Sequence, residues 1–340
     1  MSDIESNIPS SKRVTMVRVS RVGVALSILS LAMFGIFAVM RSNTINETER
    51  SPVTRNLRDK RLVVGLADDR PVGERVEEIG ADFQNVVKYQ DVRSLDYRWM
   101  VKPYLDKGKS VTMVIEFFSD DYRNLEKIAN GEYDDHLYSF IGDIKADGNR
   151  KFSIRPLHEF NGDWYPWGTY RGNENNTGSF KRAFRHIAEI FRRKGANVDI
   201  QLDYNCENAR GDNKSFRDWW PGDDVVDMVM CNAYNRYGLS KWHNDWESFR
   251  DVFQAGYDEM LKLPGNKPLG IGETGTTGYG YKKAQWFKDA FKDLAERFVR
   301  VEECDFFLIN KGERNWGLNS WDEEKAFGES LQKYNWLENL

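Results

Sequence analysis

From residue 61 onward, short runs of β-branched and aromatic residues alternate with longer stretches whose apolar positions recur every three or four residues. The short runs predict eight strands, with cores at Leu62–Leu66, Phe83–Tyr89, Val111–Phe118, Phe152–Leu157, Val198–Tyr204, Val225–Ala233, Pro268–Gly272 and Cys304–Ile309. Helical stripes fall between them. Over Ser179–Lys194, the residues Phe180, Ala183, Phe184, Ile187, Ile190 and Phe191 share one side of a helix. Phe249, Val252, Phe253, Tyr257, Met260 and Leu261 repeat the pattern before the seventh strand, and Phe287, Ala290, Phe291, Leu294 and Phe298 do so before the eighth. Eight strand–helix units over residues 61–340 predict an α/β fold, a closed (β/α)8 TIM barrel whose chemistry sits where the strand C-termini meet their loops.

The first sixty residues follow another rule. Val22 to Met40 is an uncharged apolar run, long enough as a helix to match the core of a bilayer. It lacks a small-x-small cleavage site at its exit, so it is expected to be an uncleaved signal-anchor; if cleaved, the chain is secreted. Lys12, Arg13, Arg18 and Arg21 precede it and place the N-terminus in the cytoplasm. The expected organisation is a cytoplasmic tail over 1–21, a transmembrane helix over 22–40, a polar linker over 41–60 and a catalytic barrel over 61–340. The barrel is then extracytoplasmic on a single-pass membrane protein, with the lipid bilayer as partner of residues 22–40.

Charge narrows the partners. The chain carries −4 overall, but residues 1–60 hold nine Lys/Arg against five Asp/Glu, which leaves 40 against 48, a net of −8, on residues 61–340. An acidic body is a poor partner for nucleic acid, and no protein partner is inferable. Cys206, Cys231 and Cys304 have no CxxC spacing and allow at most one disulfide. His136, His158, His186 and His243 have no metal-ligand spacing, so no metal or other cofactor is expected. Gly270-Ile271-Gly272-Glu273-Thr274-Gly275 is formally GxGxxG, but a dinucleotide fingerprint opens a helix at once, and here the helical pattern begins only near Lys282. Aromatic residues make up 14% of the chain, which suits sugar binding as well as core packing.

The candidate chemistry lies at two predicted strand ends. Period two places Arg155, Leu157 and Glu159 on one face of the fourth strand, and Leu269, Ile271 and Glu273 on one face of the seventh. Two glutamates from separate strands then converge on one mouth, as acid/base work on a glycosidic bond requires.

The run RPLHEFNGDWYPWG at 155–168 resembles the acid/base motif of glycoside hydrolase family 26, a clan of (β/α)8 retaining glycosidases that includes β-mannanases, mixed-linkage β-glucanases and β-1,3-xylanases. WWPGDDVVD at 219–227, Asn232-Ala233-Tyr234-Asn235 and KPLGIGETG at 267–275 extend the resemblance in order. It implies Glu159 as general acid/base and Glu273 as nucleophile. His158 and Trp164 would line the subsite of the attacked sugar, with Trp167, Asn232 and Trp316 as further substrate contacts. Tyr234 would donate its hydroxyl to Glu273. Trp321 is a second stacking candidate beside Trp316. Mannanases of the family usually carry Trp-Phe-Trp-Trp where this chain has Trp164-Tyr165-Pro166-Trp167, and commonly Asp where it has Asn232, so the chain looks closer to the mixed-linkage glucanase branch. The implied function is a retaining, endo-acting β-glycoside hydrolase on a polysaccharide such as mixed-linkage β-glucan or β-mannan. The alternative is a catalytically inactive, membrane-tethered barrel that only binds polysaccharide.

Overall fold

The computed structural model of the protein describes residues 62–121, 123–172, 174–279 and 282–334. The expected tail, transmembrane helix and linker over 1–21, 22–40 and 41–60 lie outside the described residues. Among the described residues no helix is long and apolar enough to cross a membrane. Eight parallel strands close into a barrel in sequence order: β1 Val63–Ala67, β2 Asn85–Asp91, β3 Ser110–Glu116, β4 Phe152–Pro156, β5 Val198–Asn205, β6 Met228–Asn235, β7 Leu269–Thr276 and β8 Val301–Phe307. β1 pairs with β8 to complete the ring. Around it lie α1 Val72–Ile79, α2 Tyr97–Met100, α3 Lys102–Leu105, α4 Asn124–Ala129, α5 Asp134–Ala146, α6 Thr177–Arg193, α7 Phe249–Met260, α8 Lys283–Glu296 and α9 Trp321–Tyr334.

The helices form where the stripes predict. Asn176 caps α6 through a reciprocal capping box with Ser179, and Ser248 does the same for α7 with Asp251. Phe180, Ala183, Phe184, Ile187, Ile190 and Phe191 bury the inner side of α6 against the barrel. Leu261 departs from its stripe: it follows α7 and is 41% exposed, because the chain turns away from the core there.

One face of each strand builds the layer between barrel and helices, with Ile115, Ile154, Ile200, Val229 and Ile271 among its residues. The other face fills the barrel interior, and that interior is polar. Arg155, fully buried, donates from Nη2 to Asp305 at 2.5 Å, from Nε to Gln201 at 2.9 Å and from Nη1 to the Gly272 carbonyl at 2.7 Å. Gln201 in turn donates to Glu303, and Asn85 to Thr112 and Asp305. A guanidinium ringed by carboxylates and amides ties β4, β5, β7 and β8 to one another beneath the mouth. Removing one partner of such a buried pair typically costs about 3–5 kcal/mol.

Two strands break the expected alternation. β4 ends at Pro156, and Leu157 and Glu159 follow with φ of 58° and 53°, a left-handed backbone that side chains rarely adopt. Glu159 therefore leaves a tight turn and not a strand face. In β7, Leu269 and Ile271 face the helices, while Gly270 and Gly272 face the interior. Regular alternation would turn Glu273 outward. Register shifts against β6, between Met230 and Ala233, and against β8, between Ile271 and Thr274, re-aim it into the mouth.

Cys206 and Cys231 form a disulfide between the end of β5 and β6, while Cys304 is buried and free. α7 crosses directly over this bond at Gly256, where a Cβ would fall 2.5 Å from either sulfur.

Candidate active site

At the C-terminal ends of the strands lies a cleft of about 380 Å³, lined by Glu159 and Trp164 after β4, Tyr234 on β6, Arg236 beyond it, Glu273 on β7, and Phe307 and Trp316 around β8. Glu159 and Glu273 thus share one cavity, each only 7% exposed.

Glu273 is held by two phenols. Tyr89 on β2 donates to Oε1 at 2.9 Å and Tyr234 donates to Oε2 at 2.5 Å, so each carboxylate oxygen has its own donor. His158 Nε2 lies 4.0 Å from Oε1. Burial, then the charge of Arg155, lowers the His158 imidazole to about 3, so it is neutral in the working range.

Glu159 is held differently. Trp164 Nε1 donates to its Oε2 at 2.7 Å and Asn232 Nδ2 to its Oε1 at 3.2 Å, while its own N–H is tied to the Asp203 carbonyl at 2.8 Å. Burial first, and then the negative charge of Glu273, push its carboxyl up to about 7, against the pull of Arg236. One carboxyl able to carry a proton near neutrality therefore stands across a cleft from another fixed as an acceptor, the division of labour that an acid and a nucleophile need. Glu116, at the end of β3, is also pushed up to about 7 by burial and by Glu273.

The expected sugar contacts divide. Trp164 is 40% exposed on the cleft wall, and Trp316 faces the cleft with its ring centroid 4.8 Å from that of Tyr234. Trp167 does not reach the cleft. It is completely buried, donates to the His158 carbonyl at 2.8 Å and stacks at 4.4 Å under Tyr165, which takes the lining position instead. His158, 1% exposed, sits beneath the lining against Tyr165 and Trp167 and touches Glu273. Asn232 is buried and directed at Glu159. Trp321, though 67% exposed, starts α9 away from the lining. Tyr89 and Arg236, and the lining role of Tyr165, were not foreseen from sequence. Tyr89 shares the interior face of β2 with Asn85 and Val87, a period-two signal that was available but carried no motif.

The profile of glycosyl hydrolase family 26 matches residues 120–259. Endoglucanase H of Acetivibrio thermocellus is 35% identical over 237 residues, which is 68% of this chain and 26% of that protein. A mannan endo-1,4-beta-mannosidase of Bacillus subtilis is 33% identical over 185 residues, 51% of this chain and 45% of its own. The chain thus spans about a quarter of the one relative and under half of the other. In structure, the catalytic domain of the Bacillus sp. JAMB-750 GH26 endo-beta-1,4-mannanase superposes with a TM-score of 0.63 over 82% of this chain and 88% of that one, at 14% identity, a likeness of fold.

Proposed function

Because the chain belongs to glycosyl hydrolase family 26, we propose that it is a retaining, endo-acting β-glycoside hydrolase working by double displacement, with Glu159 as acid/base and Glu273 as nucleophile. The observation that carries this is the unequal pair in one cleft: Glu159, raised to about 7, and Glu273, held between two phenols. In the first step Glu273 attacks the anomeric carbon while neutral Glu159 gives its proton to the departing oxygen. In the second, Glu159 takes a proton from water, whose oxygen replaces Glu273 on the same carbon with net retention. Tyr89 and Tyr234 hold the nucleophile at its attacking angle, and neutral His158 fills the space beside it without adding charge. Trp164 and Trp316 supply ring faces on which a pyranose can stack.

The substrate class we propose is a β-linked glucan or mannan, mixed-linkage β-glucan first. Its support is Tyr165-Pro166 and Asn232 in place of the usual mannanase residues, together with the endoglucanase relative. Digestion of mixed-linkage glucan, mannan and β-1,3-xylan by the purified protein, with products read by mass and anomer by NMR, tests it. Oligosaccharides with retained configuration from the glucan are expected. Binding without products would leave a polysaccharide-binding barrel instead.

The location we propose is the outer side of a membrane, anchored through residues 22–40. The Cys206–Cys231 disulfide supports it, since such bonds persist in oxidising compartments.

A further inference from the structure

The hydrogen bonds around Glu159 leave a defect one side chain further in. Asn232 gives its Nδ2 to Glu159, and its Oδ1 then faces the barrel interior with no donor. Asp203, on β5, meets it there with both carboxylate oxygens also lacking a hydrogen-bond donor; Nε of Arg155 stays 3.8 Å away. The three oxygens close on one point. A Cβ built on Gly272 would fall 2.5 and 2.6 Å from Oδ2 and Oδ1 of Asp203 and 2.7 Å from Oδ1 of Asn232. Both side chains are buried, at 0% and 1% exposure. Buried acceptors do not crowd together without a donor between them, because each one then gives up its hydrogen bonds to water for nothing in return.

A single proton supplies the donor that Asn232 Oδ1 lacks and gives one Asp203 oxygen a partner, in either of two arrangements, while the other Asp203 oxygen faces the Arg155 guanidinium 3.8 Å away. In the first, Glu159 is the carboxylate, accepting from Trp164 and Asn232, and neutral Asp203 donates its O–H to Oδ1 of Asn232. In the second, the amide of Asn232 is turned over: Nδ2 donates to the Asp203 carboxylate, and Oδ1 accepts the proton of neutral Glu159. The two ends of an amide are nearly equal in size, so packing accommodates both.

We propose that Asp203 is a positioning residue that holds one dissociable proton in common with Glu159 through the reorienting amide of Asn232. This rests on Glu159 being the acid/base. When neutral Glu159 gives its proton to the leaving oxygen, as the C1–O bond breaks and the bond from C1 to Glu273 forms, two carboxylates are left on one amide. Their repulsion strengthens the pull of Glu159 on the proton that the attacking water releases, and that proton restores the starting count. The charged and titratable groups facing this pair are Arg155 on β4, Glu273 on β7, Arg236 beyond β6, and the phenols of Tyr165 and Tyr234. Burial, with the charges of Glu273 and Glu159 and against the pulls of Arg155 and of the Asn232 amide close beside it, raises Asp203 well above the usual carboxylate range. The two carboxyls titrate as a pair.

Asp203→Asn tests this, because its amide donates permanently to Oδ1 of Asn232 and fixes Nδ2 on Glu159, which favours the carboxylate. The alkaline limb of kcat/KM on a β-glycan should move down by about one pH unit, a tenfold loss on that side, with far less loss on an aryl glycoside whose phenol needs no protonation. A role confined to packing would leave the limb in place. Carboxyl ¹³C NMR of the full chain gives a readout independent of turnover. Asp203 and Glu159 should each show two-step titrations, Glu159→Gln should lower the Asp203 midpoint, and Asn232→Ala should uncouple the two. An unmoved limb in an active Asp203→Asn enzyme, or one-step titration of Asp203 whatever stands at 159, overturns the proposal. A wild-type protein without hydrolase activity would overturn the reading of Glu159 while the NMR still decides the shared proton.

Discussion

Glu159 projects from a backbone at φ 53°, two residues after Leu157 at 58°, a conformation that costs of order 1 kcal/mol for each non-glycine residue. The hydrogen bond from its N–H to the Asp203 carbonyl, and the one its own carbonyl accepts from Gly162, hold it there. Neighbouring residues thus fix the direction of the side chain. The two glutamates should consequently fail in different ways. Glu159→Ala is expected to lose about 10²–10⁴-fold on polysaccharide yet keep rapid glycosylation by an aryl glycoside with an acidic phenol, accumulate the glycosyl-enzyme and regain turnover with azide. Glu273→Ala should lose both activities. Burst kinetics on the aryl substrate decide the matter; a Glu159→Ala enzyme equally inert on both substrates and indifferent to azide would reverse or remove the assignment.

At the scale of elements, all eight strands and the α6, α7 and α8 stripes were legible, because burial on one side writes a period into the sequence that local packing cannot hide. The motif marked both glutamates, which the structure brings into one cleft, but strand alternation does not aim them there. Period two holds only while a strand stays regular, and β4 stops at Pro156 while β7 slips register beside Ile271. Trp167 was misjudged because a motif reports which residues occur together and not which of two stacked rings faces solvent. The interior network escaped notice because Asp203, Glu303 and Asp305 look in sequence like ordinary polar positions on alternating strands. Pairing of the cysteines was open until β5 and β6 became neighbours. That bond closes a loop with a sequence separation of 25, worth about 3–4 kcal/mol in a chain-entropy account. Cys206→Ser with Cys231→Ser should therefore lower the melting temperature by roughly 5–15 °C. Calorimetry in non-reducing buffer would show it, and an unchanged midpoint would mean the bond constrains nothing.

For the whole molecule, the membrane proposal makes a physical claim about partitioning. Full-length protein is expected to sediment with membranes and to resist alkaline carbonate, while chain beginning near Asp59 stays in the supernatant with the same specific activity. A mature N-terminus found between residues 38 and 45 would replace the anchor with a cleaved signal. A different consequence follows from how the barrel closes. β1 enters at the end of the ring opposite the cleft, and α9 returns to that same end, where Gln332 donates to the carbonyl of Gly80 behind α1. Both ends of the described chain therefore leave from the back of the enzyme. New modules joined there by gene fusion, whether adhesive domains, spacers or a second catalytic unit, would extend the chain without shading the cleft.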